Sequence, residues 1–447
     1  MTELPDLKRL SDDAARLVDA AKRAGADAAD AVVGTGRSVS VSVRMGKVEG
    51  TDASEGDSFS LRVFVGKQVA SISAVKGVDP VMLAERAVAM AKVAPEDPFA
   101  GLAPRERLAK TFPDLDLLDA TEVSPAALTE AALAQEAVAL AVAGVTNSGG
   151  SSASAGLGGT VLVTSDGFSG SNLRSSFGRG LSVIASEGVK MQRDYEGCSR
   201  IHFADLDTPE EIGRKAAERA VRRLNPVKAK TGPVNVVLDP RVARGFAGHL
   251  AGAINGASVA RKTSFLKDRM GEQILVSGVT VTDDPLRRRG PGSRPFDGEG
   301  IAGQPLTMVE DGVLKHWFLS HGLAQELGLE TNGRGARSGS TVSATSTNFA
   351  FEPGTTAPEE LIRKIGTGLY VTEVIGQGVN MVTGEYSRGA SGYWIENGEL
   401  AHAVSEVTIA GNLKDMFLNL ELANDIDRNY SVAAPTLAIY GMTLAGD

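Results

Sequence analysis

Residues 376–411 read GQGVNMVTGEYSRGASGYWIENGELAHAVSEVTIAG, and this stretch indicates the fold of the C-terminal half of the chain. Glycines separate its short apolar and aromatic runs. The Asn397-Gly398 pair between two such runs is typical of the tight turn in a β-hairpin. Glycines within strands also allow another part of the backbone to approach closely. The stretch therefore predicts a meander of antiparallel strands with a groove lined by backbone, and Arg388 lies in its middle.

The same pattern extends through the rest of the C-terminal part. A strand at residues 234–238 leads into a helix at residues 240–254. Strand-like runs then alternate with glycine-rich turns almost to the end, at residues 274–281, 306–309, 369–375, 404–409 and 436–442. We therefore predict a predominantly β domain over residues 231–447, in which the strands form a partly closed barrel.

A smaller α/β unit is predicted at the start of the chain. Residues 7–24 carry leucine and alanine at three- and four-residue steps, which predicts an amphipathic helix. Apolar and polar residues alternate at 39–45 and 59–65, and a further run at 69–74 completes a set of strands with one buried face. Asp79-Pro80 begins a second helix. We assign this unit to residues 1–95 and interpret the proline-rich residues 96–123 as a linker.

A second α/β unit is predicted over residues 124–230. A helix begins at Ser124-Pro125, and strand-like runs follow at residues 160–165 and 182–185. Thr208 precedes a further helix and has Glu211 three residues later, as in a capping box. Both units run helix, strands, strands, helix, which suggests a distant internal duplication. The predicted fold class is α+β: antiparallel sheet and helix units, followed by a barrel-like β domain.

Composition excludes several classes of function. The net charge of −9, with the densest basic runs, at residues 222–223 and 287–289, being short, argues against direct nucleic-acid binding, which needs clustered lysine and arginine. The single cysteine, Cys198, excludes an intrachain disulfide and a multi-cysteine metal site. No signal peptide is apparent, and no apolar run reaches the ~20 residues that a membrane-spanning helix needs. We therefore expect a cytoplasmic protein with no membrane contact.

The sequence also resembles the TldD/PmbA family, and within it the PmbA (TldE) branch. The resemblance covers nearly the whole chain and rests on several long motifs in one order. These motifs are DDP at 283–285, FDGEG at 296–300, TNGRGARS at 331–338, VNMVTGEYSRGASG at 379–392 and VSEVTIAGNLKDM at 404–416. Several long motifs are far more specific than one short pattern. The resemblance implies a C-terminal β domain and a link to proteolysis.

In the TldD branch, the resemblance implies a metallopeptidase with a His-Glu-x-x-x-His motif on a helix and a further cysteine ligand near the C-terminus. The corresponding residues here are near 247–252, where His249 is present. However, Leu250 occupies the position of the glutamate, and Ile254 occupies that of the second histidine. No cysteine follows residue 416. We therefore expect His249 to be structural, with no catalytic residue and no metal in this chain, and zinc in a TldD-like partner.

Two other groups of potential ligands have alternative interpretations. His316 and His321 have the correct histidine spacing, but Trp317 lies at the glutamate position and the segment indicates a turn and a strand. Four carboxylates could together hold Mg²⁺ or Ca²⁺: Asp283, Asp284, Asp297 and Glu299. Because Asp-Asp-Pro also initiates turns, we favour a structural role for these carboxylates.

The remaining candidates concern binding. Arg334, Arg337, Tyr386 and Arg388 are our predicted contacts to the carbonyl or carboxylate groups of a peptide. The alternative is that these arginines pair with local acids, such as Glu385 and Glu396.

The leading functional hypothesis is a non-catalytic subunit that pairs with a TldD-like chain around unfolded peptides. The resemblance implies roles in peptide maturation and antitoxin degradation. Two alternatives stay open. One is a homodimeric metallopeptidase whose unrecognised metal site uses His249 or the acidic cluster, and the other is a non-proteolytic protein that interacts with a large partner such as DNA gyrase.

Overall fold

The computed structural model describes residues 4–75, 77–338 and 341–447. In its N-terminal half, the α-helices and strands follow each other in the order of two repeats. The first repeat comprises α1 (Leu7–Arg23), β1 (Ala28–Arg44), β2 (Lys47–Val65), β3 (Gln68–Val75) and α2 (Pro80–Val93). The second comprises α3 (Pro125–Leu140), β4 (Val145–Thr164), β5 (Ser169–Glu187), β6 (Lys190–Arg200) and α4 (Pro209–Arg222). The repeated order that the sequence predicts is therefore confirmed.

The six strands of the two repeats form one antiparallel sheet in the order β3-β2-β1-β4-β5-β6. Residues 30–43 of β1 lie opposite residues 164–151 of β4, so this pairing joins the repeats along most of both strands. The strands are longer than predicted, because their central parts are rich in glycine and serine and lack an apolar alternation. Residues 47–56 of β2 pair with β1 but with no other strand in the described part of the chain.

The helices of each repeat cover that repeat's half of the sheet. In α1, Leu10 and Leu17 are buried against the strands together with residues of α2. In α4, the side chain of Thr208 accepts from the backbone N–H of Glu211, and the Glu211 carboxylate accepts from the backbone N–H of Thr208. This reciprocal pair satisfies two N–H groups that the helix itself leaves free, and it confirms the predicted capping box.

The C-terminal half contains the remaining elements. The helices are α5 (Pro240–Ala253), α6 (Gly256–Ala260), α7 (His321–Glu326), α8 (Pro358–Ile365) and α9 (Leu413–Leu418). The strands up to residue 351 are β7 (Gly232–Leu238), β8 (Val281–Asp283), β9 (Leu306–Glu310), β10 (Val313–Leu314), β11 (Gly335–Ser338), β12 (Thr341–Ala344) and β13 (Phe349–Phe351). The later strands are β14 (Gly368–Ile375), β15 (Glu385–Glu396), β16 (Glu399–Asn412), β17 (Leu420–Leu422), β18 (Val432–Ala433) and β19 (Leu437–Ala445).

A closed five-stranded barrel is the centre of this half. Its strands follow the order β16-β15-β14-β7-β19, and an additional pairing between β16 and β19 closes the circle. Asn397 and Gly398 join β15 to β16 with φ angles of 54° and 78°, the left-handed values that a tight hairpin turn requires. The predicted meander and the predicted barrel are both confirmed. A second sheet, in the order β10-β9-β8-β13-β18, packs nearby with α5 in one shared core.

Two expectations about strands need correction. The apolar run at residues 274–281 is a buried loop, and only residues 281–283 form a strand. Ile274 donates its backbone N–H to Gly312 O, and Val276 donates its backbone N–H to Phe417 O. Single hydrogen bonds to separate segments, and not a strand ladder, therefore satisfy these backbone groups. The meander also offers no free edge at β15, which pairs with β14 on one side and β16 on the other. The backbone groups that would accept an added peptide strand there are already used.

Residues 96–123 connect the two repeats of the N-terminal half. The backbone N–H of Ala109 donates to Gly300 O at 2.8 Å, and that of Ser175 donates to Leu117 O at 3.0 Å. Three aromatic rings, those of Phe112, Phe168 and Phe296, meet edge to face beside this segment. The six-stranded sheet is thereby held against the loop at residues 294–301. Among the described residues, no helix has both the length and the apolar character needed to cross a bilayer.

Candidate functional site

The helix α5 places the histidine of the predicted motif region beside the barrel. The Asp239 side chain accepts from the backbone N–H of Arg241 at 2.9 Å, and Pro240 occupies the first turn, so the start of α5 is well defined. Nine residues after Pro240, His249 faces β15, where its ring centre lies 6.1 Å from that of Tyr386 in an edge-to-face contact. Arg388 lies two residues along β15 and donates from Nε to Ile375 O at 3.3 Å.

This His249 cluster, which consists of His249, Tyr386 and Arg388, provides hydrogen-bond donors rather than a nucleophile. Burial lowers the pKa of His249, and the positive charge of Arg388 lowers it further. Burial raises the pKa of Tyr386 to about 12. At neutral pH the site therefore combines a neutral imidazole, a protonated phenol and a guanidinium. Such a set can bind carbonyl or carboxylate oxygens.

The residues around His249 do not fit a hydrolytic zinc ion. Leu250 and Ile254, which occupy the other motif positions, are fully buried in the hydrophobic core. His316 and His321 do not replace them, because His316 precedes α7 in an irregular segment and His321 is the first residue of that helix. Within the described ranges, no three His, Cys, Asp or Glu side chains are placed to hold one ion. A catalytic zinc needs three protein ligands and an open position for water.

Arg334 is fully buried and takes part in an ion pair with Asp283. Its Nε donates to Asp283 Oδ2 at 2.6 Å, and its other nitrogens donate to the carbonyl groups of Asp283, Asn332 and Gln304. Asp283 also accepts from the backbone N–H and the hydroxyl of Thr347, both at 2.7 Å. The partner of Arg334 is therefore an acid from another part of the chain, and its guanidinium has no free face for a peptide.

Arg337 belongs to a second buried group of charges, at the boundary between the six-stranded sheet and the C-terminal half. Its Nη2 lies 2.7 Å from Asp30 Oδ1, and its Nε donates to Gly298 O at 2.6 Å. Arg62, directly opposite Asp30 in the β1–β2 pairing, donates to Asp30 Oδ2 from Nε at 3.0 Å. Burial raises the pKa of Asp30, but the two guanidinium groups outweigh it and hold that pKa below its ordinary value.

The carboxylates of the predicted acidic cluster accept backbone hydrogen bonds in loops. Asp297 Oδ1 accepts from the N–H groups of Glu299 and Ile301, and its Oδ2 accepts from that of Gly335, all at 2.8–2.9 Å. Asp284 accepts from Leu286 N in the same manner. Burial, and then the nearby charge of Glu299, raise the pKa of Asp297 to about 6. Burial also raises the pKa of Glu299.

The predicted peptide contacts thus separate into two places. Tyr386 and Arg388 lie together beside His249, whereas Arg334 and Arg337 lie within the buried charges. The sequence did not point to Asp30 or Arg62 as part of any site. A signal existed for both, because each is a charged residue inside an otherwise apolar run: AADAVV at residues 28–33 and SLRVFV at residues 60–65.

We expect Asp297 to make the stability of the chain fall as pH rises from about 4 to about 7. In this range the folded chain keeps a proton that the unfolded chain has released, because the pKa of Asp297 is raised in the folded state. Urea unfolding between pH 4 and pH 7 should show that the free energy of unfolding declines by about 2 kcal/mol less in Asp297→Asn than in the wild type. Asp268→Asn, at an exposed side chain, should not change the decline. Equal declines in the wild type and Asp297→Asn would contradict the prediction.

Comparison with known protein families matches nearly the whole chain. Residues 29–91, 118–224 and 231–446 match the models for domain 1, the central domain and the C-terminal domain of the PmbA/TldA metallopeptidases. Metalloprotease PmbA of Escherichia coli O157:H7 is 37% identical over 426 residues, which are 94% of this chain and 92% of that protein.

Two solved structures share the architecture. A protein from Bacteroides thetaiotaomicron, described as a proposed modulator of DNA gyrase, superposes with a TM-score of 0.91 at 27% identity, covering 98% of this chain and 99% of the other. TldE from Thermococcus kodakarensis superposes with a TM-score of 0.85 at 21% identity, covering 97% of this chain and 99% of the other.

Proposed function

Because the chain belongs to the TldD/PmbA family, and within it to the PmbA branch, we propose that it is the metal-free subunit of a two-chain cytoplasmic metallopeptidase. In this assignment a TldD-like partner supplies zinc and the catalytic glutamate, and this chain helps to enclose and bind unfolded peptides. The observation that carries the proposal is that Leu250, in α5, and Ile254, directly after it, occupy the motif positions and are both fully buried in the core.

The burial of Leu250 and Ile254 argues against an unrecognised set of metal-binding side chains at these positions. Metal-binding side chains at those positions would place polar atoms in the hydrophobic core, where an unsatisfied polar group is costly. His249 alone, with its pKa lowered by burial and by Arg388, supplies one nitrogen. One protein ligand cannot hold a catalytic zinc ion.

Two surfaces support a role in peptide binding. The His249 cluster offers the guanidinium of the half-buried Arg388, beside the buried ring of Tyr386. Residues 47–56 of β2 pair with no strand other than β1 among the described strands, and such an edge can add an extended peptide as a further strand. This edge replaces the C-terminal meander as our candidate for strand addition.

Co-expression with a TldD-like chain tests the subunit role. We expect a stable complex that hydrolyses unfolded peptides and contains about one zinc per pair, whereas this chain alone is inactive and metal-free. His249→Ala should leave the zinc content of the complex unchanged, because the ion lies in the partner. The matched control replaces a zinc-binding histidine of the partner, which should abolish both zinc and activity.

The opposite pattern would favour the alternative of an active homodimer. In that case the purified chain alone would bind about one transition metal per chain and cleave peptides, and His249→Ala would remove both properties. Failure to form a complex, together with activity of this chain alone, would contradict the proposal.

A further inference from the structure

A cavity of about 340 Å³ lies between the six-stranded sheet and the loop at residues 294–298. One wall is apolar and includes Val32, Leu162 and Phe296, which pack in one cluster. Ser58 and Thr160 also line the cavity and are exposed, so it opens to solvent on their side. Its residues are separate from those of the His249 cluster, and they include Arg337, one of the predicted peptide contacts.

The two arginines that line this cavity have buried N–H groups without a hydrogen-bond partner. Nε and Nη2 of Arg294 have none in the described part of the chain, and the same is true of Arg337 Nη1. Burial lowers the pKa of Arg294, which means that the surroundings disfavour its charge. Buried guanidinium groups are normally paired or bonded to carbonyl groups, as Arg334 is. Arg294 therefore lacks the hydrogen-bond partners that a buried guanidinium group normally has.

The charged side chains around the cavity are equal in number for the two signs, and protonation of one carboxyl group would leave an excess of positive charge. Three basic and three acidic side chains gather here: Arg62, Arg294, Arg337, Asp30, Asp297 and Glu299. Burial raises the pKa of Asp297 and Glu299, and the two carboxyl groups oppose each other's ionisation. When this pair holds one proton, the group carries one net positive charge.

Asp297 lines the cavity but does not exclude an anion from it. Both of its oxygens already accept backbone hydrogen bonds, Oδ1 from Glu299 and Ile301 and Oδ2 from Gly335. Those donors compensate the carboxylate charge locally. The guanidinium groups are the polar atoms that remain unsatisfied.

We propose that this cavity binds a carboxylate that carries an apolar group, of the kind found at the C-terminal end of a peptide. A carboxylate matches the planar fork of a guanidinium and can accept two parallel hydrogen bonds from it. The apolar wall of Val32, Leu162 and Phe296 suits a side chain such as that of leucine. The volume lies at the small end of the range for ligand pockets, so the cavity holds only a terminal residue.

The identification of a peptide as the ligand that carries the carboxylate rests on the proposed function. The preference of the cavity for a carboxylate does not rest on it. The experiment therefore uses the full chain alone. Isothermal titration calorimetry with N-acetyl-leucine and with acetyl-Ala-Ala-Leu should detect binding of both, with affinities within tenfold of each other. The corresponding amides, which lack the negative charge, should bind at least thirtyfold more weakly. Binding of the acetylated amino acid without the peptide would overturn the peptide assignment.

Arg294→Gln should weaken binding of the carboxylates at least tenfold, and Arg363→Gln, at an exposed arginine on α8, should leave it unchanged. If Arg294 had only a structural role, Arg294→Gln would lower the melting temperature. Thermal unfolding without ligand is therefore also measured. Because Arg294 has unpartnered donors, Arg294→Gln should not lower the melting temperature. Equal binding of amides and carboxylates, equal binding of inorganic phosphate, or a loss of stability in Arg294→Gln without a loss of binding would each overturn the proposal.

Discussion

Replacing Gly392 by alanine is expected to lower the free energy of unfolding of the barrel by more than about 3 kcal/mol. A Cβ atom at this position would lie 1.8 Å from Tyr370 O and 2.9 Å from the Cα atom of Val371. Both contacts are with the backbone of β14, so no side-chain rotation relieves them. A strand in a closed barrel cannot move outward without breaking pairs on its other side, where β15 contacts β16. Urea unfolding followed by tryptophan fluorescence would measure the effect.

Gly389 provides a matched control in the same strand. A Cβ atom there would lie 3.6 Å from its nearest neighbour, Ile375 O, which is an ordinary contact. Gly389→Ala should therefore change the free energy of unfolding by no more than about 1 kcal/mol, and alanine loses less conformational freedom on folding than glycine. If the two variants were equally stable, the close approach of β14 and β15 at Gly392 would be incorrect.

Replacing Arg334 by methionine is the second large expected effect, a loss of about 3–5 kcal/mol in the free energy of unfolding. The change leaves Asp283 buried at 0% exposure without its positive partner. It also leaves the carbonyl groups of Asn332 and Gln304 without the donors that Arg334 supplies. Removing one member of a buried ion pair is costly because the other charge stays desolvated. Chemical denaturation would measure it.

Lys364→Met is the matched control for this variant. Lys364 also forms an ion pair, with Glu421 at 2.6 Å, but its side chain is largely exposed. An exposed pair contributes less than about 1 kcal/mol, so this variant should remain close to the wild type. Adding Asp283→Asn to Arg334→Met should recover part of the lost stability, since it removes the unpaired charge. No recovery would indicate that lost packing, not charge, caused the effect.

Patterns within single elements allowed much of the fold to be predicted. The helices α1, α2 and α4 follow their periodicity and caps closely, because both signals are local. The Asn397-Gly398 turn fixed the β15–β16 hairpin for the same reason. The glycine- and serine-rich centres of β1, β2, β4 and β5 could not be predicted from apolar alternation. Their strand structure depends on pairing with a neighbour that is distant in sequence.

The candidate site was less predictable, since it depends on contacts between distant segments. Arg334 and Arg337 are only three residues apart, yet their carboxylate partners come from Asp283 and from Asp30. The acids considered as partners from the sequence, such as Glu385, are not the ones that pair with Arg334 and Arg337. The absence of a full metal motif at His249 was visible in sequence, because it depends only on which residues occupy fixed positions on one helix.

The long pairing of β1 with β4 has a consequence for how such a chain is assembled. Each repeat alone would expose one complete strand edge along residues 30–43 or 151–164. An isolated copy would satisfy that edge by associating with another molecule, which is the route to domain-swapped oligomers and aggregates. Encoding both repeats in one polypeptide makes the meeting of the two edges intramolecular, so concentration no longer determines whether the sheet is completed.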